Sequence, residues 1–153
     1  MQALEEAGRK LGLHENPSWW RSYQSIDTLK EKVREFPLTF NYDDFDQEDL
    51  ALSRDETTPL QAIVFDYDCF ALGTAYTDWR NVTYSLKGAA RDAFVDAYGT
   101  ISKSEKLLDT PLATFFGLLT AAERKKLPEW ARPLIESVYI GDLEQSVRVA
   151  LLA

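Results

Sequence analysis

Histidine and cysteine are almost missing from this chain. His14 and Cys69 are the only ones among 153 residues. One histidine excludes a multi-histidine metal site; following a short helical pattern, it reads as a partly buried helix-end residue. One cysteine cannot form an internal disulfide, which suits a reducing cytoplasm, the expected location. The seven glycines are scattered, so no Gly-rich phosphate loop occurs. The longest nearly apolar run, Pro111 to Ala122, is too short to span a bilayer. The opening MQALEEAGRK lacks the basic-then-apolar pattern of a signal peptide. No membrane partner is expected. Basic residues are also outnumbered, 17 against 25 acids, giving a net charge of −8. That balance argues against binding a phosphate backbone, so no nucleic-acid partner is expected.

What is present fits one globular domain over residues 1–153, with 45% hydrophobic and 27% charged residues. Residues 2–13 read as a short helix weakened at Gly12. Asn16-Pro17 reads as an N-cap followed by proline at the first helical position. The helix it starts should run to about Arg34. Trp19, Tyr23, Ile26, Leu29 and Val33 form its apolar stripe, Trp20 sits off the stripe, and Pro37 lies beyond its end. Strands are expected over 38–42, about 49–53 and 60–65. The last is apolar enough to be central, and the second and third form a hairpin around the turn at 54–59. Residues 69–75 read as irregular. Helices follow over 76–86, 89–98 (closed by Gly99) and 104–119, the last kinked or divided by Pro111. A short helix is bracketed by Pro128 and Pro133, and a final one over 143–152 is capped by Asp142. The fold class is α+β and mostly helical, with a small β-hairpin.

The stretch Tyr42–Asp68 carries nine acids (Asp43, Asp44, Asp46, Glu48, Asp49, Asp55, Glu56, Asp66, Asp68) and one base, Arg54. Its net charge of −8 equals that of the whole chain, so the other 126 residues balance at 16 acids and 16 bases. Clustered carboxylates raise one another's pKa unless a cation is shared among them. Apolar runs on both sides, LTF and LQAIVF, tie the cluster to something rigid. The pattern points to a divalent-metal site, with a solvated acidic loop as the alternative. Asp55 and Glu56 read as hairpin-turn residues.

The residues YDDFDQEDL at 42–50, then a turn, then IVFDYD at 63–68, resemble the catalytic core of the aminoglycoside phosphotransferase/choline kinase family. That family carries His-Gly-Asp-(apolar)-His-Pro-Gly-Asn-(apolar), a short hairpin, and an apolar strand ending in Asp-(aromatic)-Glu or Asp. The resemblance implies a catalytic aspartate at Asp44 and metal ligands at Asp49 (where the family has Asn) and Asp66. GTAYTDWR at 73–80 resembles the family's Gly-Asp-Pro-x-x-Asp-Leu stretch, with Asp78 in its structural Asp position. Asp78 and Arg80 would then brace the catalytic loop from the following helix. AFVDAYG and PEWARPLIESVYIGDLEQSV are similar to the tail of bacterial members, and EEAGRKLGLHE resembles the Leu-x-x-Leu-His helix at the start of the family's C-terminal lobe. Tyr42 and Asp43 stand where His and Gly are usual.

The resemblance covers essentially the whole chain but one lobe of the family's two. It implies the C-terminal lobe of a protein-kinase-like fold, moving the γ-phosphate of ATP to a hydroxyl of a small molecule. Mg2+ would be the cofactor, with ATP as co-substrate in a complete enzyme. Phosphoryl transfer needs mainly positioning and charge neutralisation, which an aspartate base and oxygen ligands to magnesium provide. The acidic cleft would favour a cationic acceptor such as an aminoglycoside or an amino alcohol. Trp19, Trp20 and Tyr23 suit either cation–π contacts with it or the core. No strand lysine or phosphate-covering loop of an ATP-binding lobe is recognisable, so a separate N-terminal kinase lobe is an expected partner and the isolated chain is expected to be inactive. Two alternatives remain: a non-catalytic degenerate lobe, and a haloacid-dehalogenase-like phosphohydrolase with Asp66 as nucleophile and Asp68 as acid/base. The second departs from its pattern at Phe70, where threonine is usual, and in having helices rather than alternating strands downstream.

Overall fold

The computed structural model describes residues 2–42, 45, 46, 48, 50–52, 62–65 and 70–153. The chain divides into two compact units, residues 1–36 with 103–153, and residues 37–102.

The first unit is helical. It contains α1 (Gln2–Lys10), α2 (Pro17–Gln24), α3 (Ile26–Arg34), α6 (Lys103–Glu123), α7 (Ala131–Tyr139) and α8 (Asp142–Leu152). Asn16 caps α2 as its sequence dictates: its side-chain oxygen accepts the N–H groups of Ser18 and Trp19 at 2.8 and 3.3 Å. The expected single helix over 17–34 is interrupted at Ser25. The hydroxyls of Ser22 and Ser25 donate back to the carbonyls of Ser18 and Arg21 at 2.7 and 3.2 Å. Such bonds compete with the helical ladder and bend it. The apolar stripe survives the break: Trp19, Tyr23, Ile26 and Leu29 are all buried.

α6 runs unbroken through Pro111, so the proline does not divide it. A proline inside a helix costs about 3 kcal/mol. Here Leu108, Phe115 and Leu118 of the same helix are fully buried, and burying each such side chain returns roughly 1.5–3 kcal/mol. Phe116, on the other face, is 72% exposed. Pro133 lies inside α7 rather than beyond it. It occupies the first turn, where N–H groups have no intrahelical partner in any case. The cap of α8 is Gly141, in the left-handed region at φ +85°, and Asp142 is the first helical residue. Trp19 is central to the core. It stacks on Tyr23 at 6.5 Å and meets the edge of Phe115 at 5.8 Å. Its indole lies so close to α1 that a Cβ on Gly8 would stand 2.5 Å from Nε1. Trp20 is partly buried beside it and donates to the carbonyl of His14. The His14 side chain is 47% exposed, so about half of it is covered; it follows the fully buried Leu13, beyond the end of α1 at Lys10.

The second unit holds β1 (Thr39–Tyr42), β2 (Leu50–Leu52), β3 (Ala62–Val64), β4 (Phe70–Gly73), α4 (Ala75–Ser85) and α5 (Gly88–Tyr98). β2 and β3 form the expected antiparallel hairpin, with Leu50 opposite Val64 and Leu52 opposite Ala62. β3 is not central: it pairs with β2 alone among the described residues, and Ile63 is half exposed. The stretch expected to be irregular contains β4. It pairs antiparallel with β1, Thr39 opposite Gly73 and Tyr42 opposite Phe70. A four-residue strand closed by a partner 28 to 34 positions away leaves little local signature. α4 packs against β1. The Tyr98 hydroxyl donates to the Ala75 carbonyl at 2.9 Å, tying the end of α5 to the start of α4.

Candidate functional site

Asp44, Asp49 and Asp66, the residues proposed for catalysis and metal binding, lie outside the described residues, as do Asp43, Asp55, Glu56, Asp68 and Cys69. Their described neighbours in sequence are Tyr42, Phe45, Leu50 and Phe65, and the second unit joins these through a compact set of bonds.

Asn41 and Tyr42 end β1, and both are buried. The Asn41 amide donates to the carbonyl of Thr74 at 2.8 Å, and its oxygen accepts from the Thr39 hydroxyl at 2.6 Å. These bonds fasten the end of β1 to the residue that opens α4. Gly73 makes the approach possible, since a Cβ there would stand 2.6 Å from Asn41 Nδ2. From the first turn of α4, the carboxylate of Asp78 accepts the backbone N–H of Tyr42 at 2.7 Å. A bond from a buried amide to a carboxylate is worth about 1.5–3 kcal/mol, more than a neutral pair.

The Tyr42 side chain continues the set in the other direction. Its hydroxyl donates to the carbonyl of Phe65 at 2.6 Å. Its ring meets Phe45 at 6.0 Å and Phe70 at 4.9 Å, both edge to face. Tyr42, two positions before Asp44, thus touches the residue just after Asp44 and the residue just before Asp66. The pairing of Leu50 with Val64 adds the residue just after Asp49 and the strand that leads to Asp66. The backbone around all three proposed carboxylates is therefore fixed at its described flanks by Tyr42, Asp78 and the hairpin.

Two described acids of the stretch read as turn residues. Asp46 is exposed, and its carboxylate accepts the N–H of Glu48 at 2.9 Å. Among the described residues no three His, Cys, Asp or Glu side chains gather closely enough to hold a metal. The donor type that the sequence offers, carboxylate oxygen, is the one hard divalent cations such as magnesium take. β3, which leads to Asp66, is paired antiparallel in a hairpin. The phosphohydrolase alternative expects that strand in a parallel sheet.

Trp19 and Tyr23 are core residues of the helical unit, with Trp19 fully buried. The sequence carries no local signal for the Tyr42–Phe65 bond. Asp78, expected to brace from the helix, bonds the backbone of Tyr42. No helix among the described residues is long and apolar enough to cross a membrane. Comparison with protein-family models, with curated proteins and with solved structures yields no match.

Proposed function

We propose that this chain supplies the acceptor-side and metal-side residues of a small-molecule phosphotransferase of the aminoglycoside phosphotransferase type, transferring the γ-phosphate of ATP to a hydroxyl. The observation that carries the reading is the 2.7 Å bond from the Tyr42 N–H to Asp78. The family motif assigns Asp78 a bracing role at the catalytic loop, and that carboxylate holds the backbone two residues before Asp44.

In this reading Asp44 accepts the proton of the attacking hydroxyl. Asp49 and Asp66 hold magnesium, which neutralises charge on the transferring phosphate. Tyr42, through Phe65, ties the end of β1, which leads to Asp44, to the end of β3, which leads to Asp66. Asp49 adds a negative charge where the family has a neutral amide, and with its acidic neighbours suits a cationic acceptor. The remaining ATP contacts come from a separate N-terminal lobe.

Calorimetric titration of Mg2+ into the chain tests the metal half directly. Saturable binding is expected, lost in Asp66→Asn and retained in the turn variant Asp55→Asn. Absence of binding, or binding that Asp66→Asn leaves intact, would overturn the reading and favour a non-catalytic lobe. ATP turnover by the chain alone would overturn the assignment of the ATP contacts to a second lobe.

A further inference from the structure

We infer that a groove at the C-terminal ends of α1 and α6 binds a small amphiphilic anion, with a carboxylate or phosphate head on an apolar body. The groove lies wholly within the helical unit, and the inference is independent of the phosphotransferase reading. Its volume is about 470 Å3, within the range of small-molecule sites. Its apolar lining comes from Leu11, Ala121, Ala122, Leu127 and Ile135. The charged lining is Lys10, Arg124 and Lys125 against Glu123 alone, a surplus of two positive charges on a chain of net −8.

Two of these three cations, Arg124 and Lys125, have no carboxylate partner among the described residues, a state shared with Lys32, Lys103, Lys106 and Arg132 elsewhere in the unit. Arg9, Arg21, Lys30, Arg34 and Arg148 are each paired with a carboxylate. Lys10 is paired with Glu6 at 3.1 Å. Arg124 and Lys125 are exposed, and Lys126 beside them is exposed and forms no ion pair among the described residues. Basic residues at a helix C-terminus complement its dipole, which accounts for part of the charge. It does not account for the apolar side chains that line the groove next to that charge, Leu127 at 48% exposure among them. A cationic ligand would be repelled by the charged lining, and a purely polar anion would leave the apolar lining unused. An anion with a hydrocarbon body uses both.

The test is an NMR titration of the isotopically labelled full chain with decanoate, decyl phosphate, decyltrimethylammonium and acetate, each below its micellar concentration. At least one decyl anion is expected to give saturable shifts confined to residues 10–11, 121–127 and Ile135, and the tighter of the two identifies the head group. Decyltrimethylammonium and acetate are expected to bind roughly tenfold more weakly or not at all. The pair Arg124→Glu and Lys125→Glu should weaken the anion about tenfold without moving the unfolding midpoint. Ala122→Trp, which fills the groove, should abolish the shifts. Equal binding of the decyl cation, shifts centred elsewhere, or no saturable response to either decyl anion would overturn the inference.

Discussion

The carboxylate of Asp78 and the backbone N–H of Tyr42 meet at 2.7 Å, joining the first turn of α4 to the last residue of β1. The bond is partly buried, so losing the carboxylate costs the amide more than loss of a fully exposed bond would. Asp78→Ala is expected to destabilise the chain by about 1–3 kcal/mol and to speed hydrogen exchange at the Tyr42 amide. Asp78→Asn keeps an acceptor oxygen and should recover most of the protection. Denaturant unfolding with amide exchange reads both, and unchanged exchange in Asp78→Ala would remove the bracing role. On the phosphotransferase reading, the alanine variant also binds Mg2+ more weakly, because the backbone of Tyr42, which leads to Asp44 and Asp49, loses its anchor.

Gly73 and Asn41 are coupled by the space one leaves for the other. Asn41 is fully buried and bonded to both Thr74 and Thr39. A Cβ at Gly73 would push on its amide nitrogen at 2.6 Å. Gly73→Ala should cost about 1–3 kcal/mol through overpacking. Asn41→Ala should cost a similar amount, roughly 1–3 kcal/mol, by removing two hydrogen bonds of a buried side chain, one to the Thr74 carbonyl, which keeps the Thr77 N–H, and one from the Thr39 hydroxyl. Because the alanine at 41 also removes the clash, the double variant should cost clearly less than the two singles together. Additive losses in a double-mutant cycle would show that the two residues act separately.

Local chemistry made the helix boundaries readable, and distance in sequence hid much of the site. Asn16-Pro17 and Gly99 mark a helix start and end through capping that depends on a few neighbouring atoms. The stripe Trp19, Tyr23, Ile26 and Leu29 is a matter of period, and it is buried as expected even though Ser25 breaks the helix carrying it. β4 was missed because Phe70–Gly73 becomes a strand only on meeting Thr39–Tyr42. The Tyr42–Phe65 bond spans 23 residues and depends on where β1 and β3, strands of two separate sheets, end, which no local pattern encodes. Pro111 does not divide α6: a local penalty yielded to the burial of Leu108, Phe115 and Leu118 around it.

Gly8 and Trp19 set two effects against each other. Alanine in place of a helix-interior glycine ordinarily stabilises by about 0.5–1 kcal/mol. Here the added methyl would meet Trp19 Nε1 at 2.5 Å and Cε2 at 2.8 Å, and the indole is fully buried with Nε1 lacking a hydrogen-bond partner among the described residues. Overpacking of roughly 1–3 kcal/mol should win, so Gly8→Ala is expected to lower stability. Trp19→Phe alone should also destabilise, through the volume it vacates. Combined with Gly8→Ala, the smaller ring should tolerate the methyl, so the double variant is expected to be more stable than Trp19→Phe. A stabilising Gly8→Ala in the parent chain would show that α1 moves away from Trp19 at little cost.

Glu144 gives the fold an acid-sensitive contact. Arg21 donates to its two oxygens at 2.7 and 2.8 Å, and Arg148 donates at 3.1 Å. The hydrogen bonds from Arg21 are the main reason its pKa falls from the ordinary 4.5 to about 2, against a smaller opposing effect of burial. A carboxylate with a depressed folded-state pKa stabilises above its unfolded value and loses that contribution as pH falls toward the folded value. The stability gap between the parent chain and Glu144→Gln should therefore be flat above about pH 5. It should narrow between 4.5 and about 2 as the carboxylate is protonated. Added salt should shrink the gap at neutral pH, because the Arg21 side chain is more than half exposed. Thermal or denaturant unfolding across that range checks the sign, and a gap that widens on acidification would rule out the Arg21–Glu144 pair as its source.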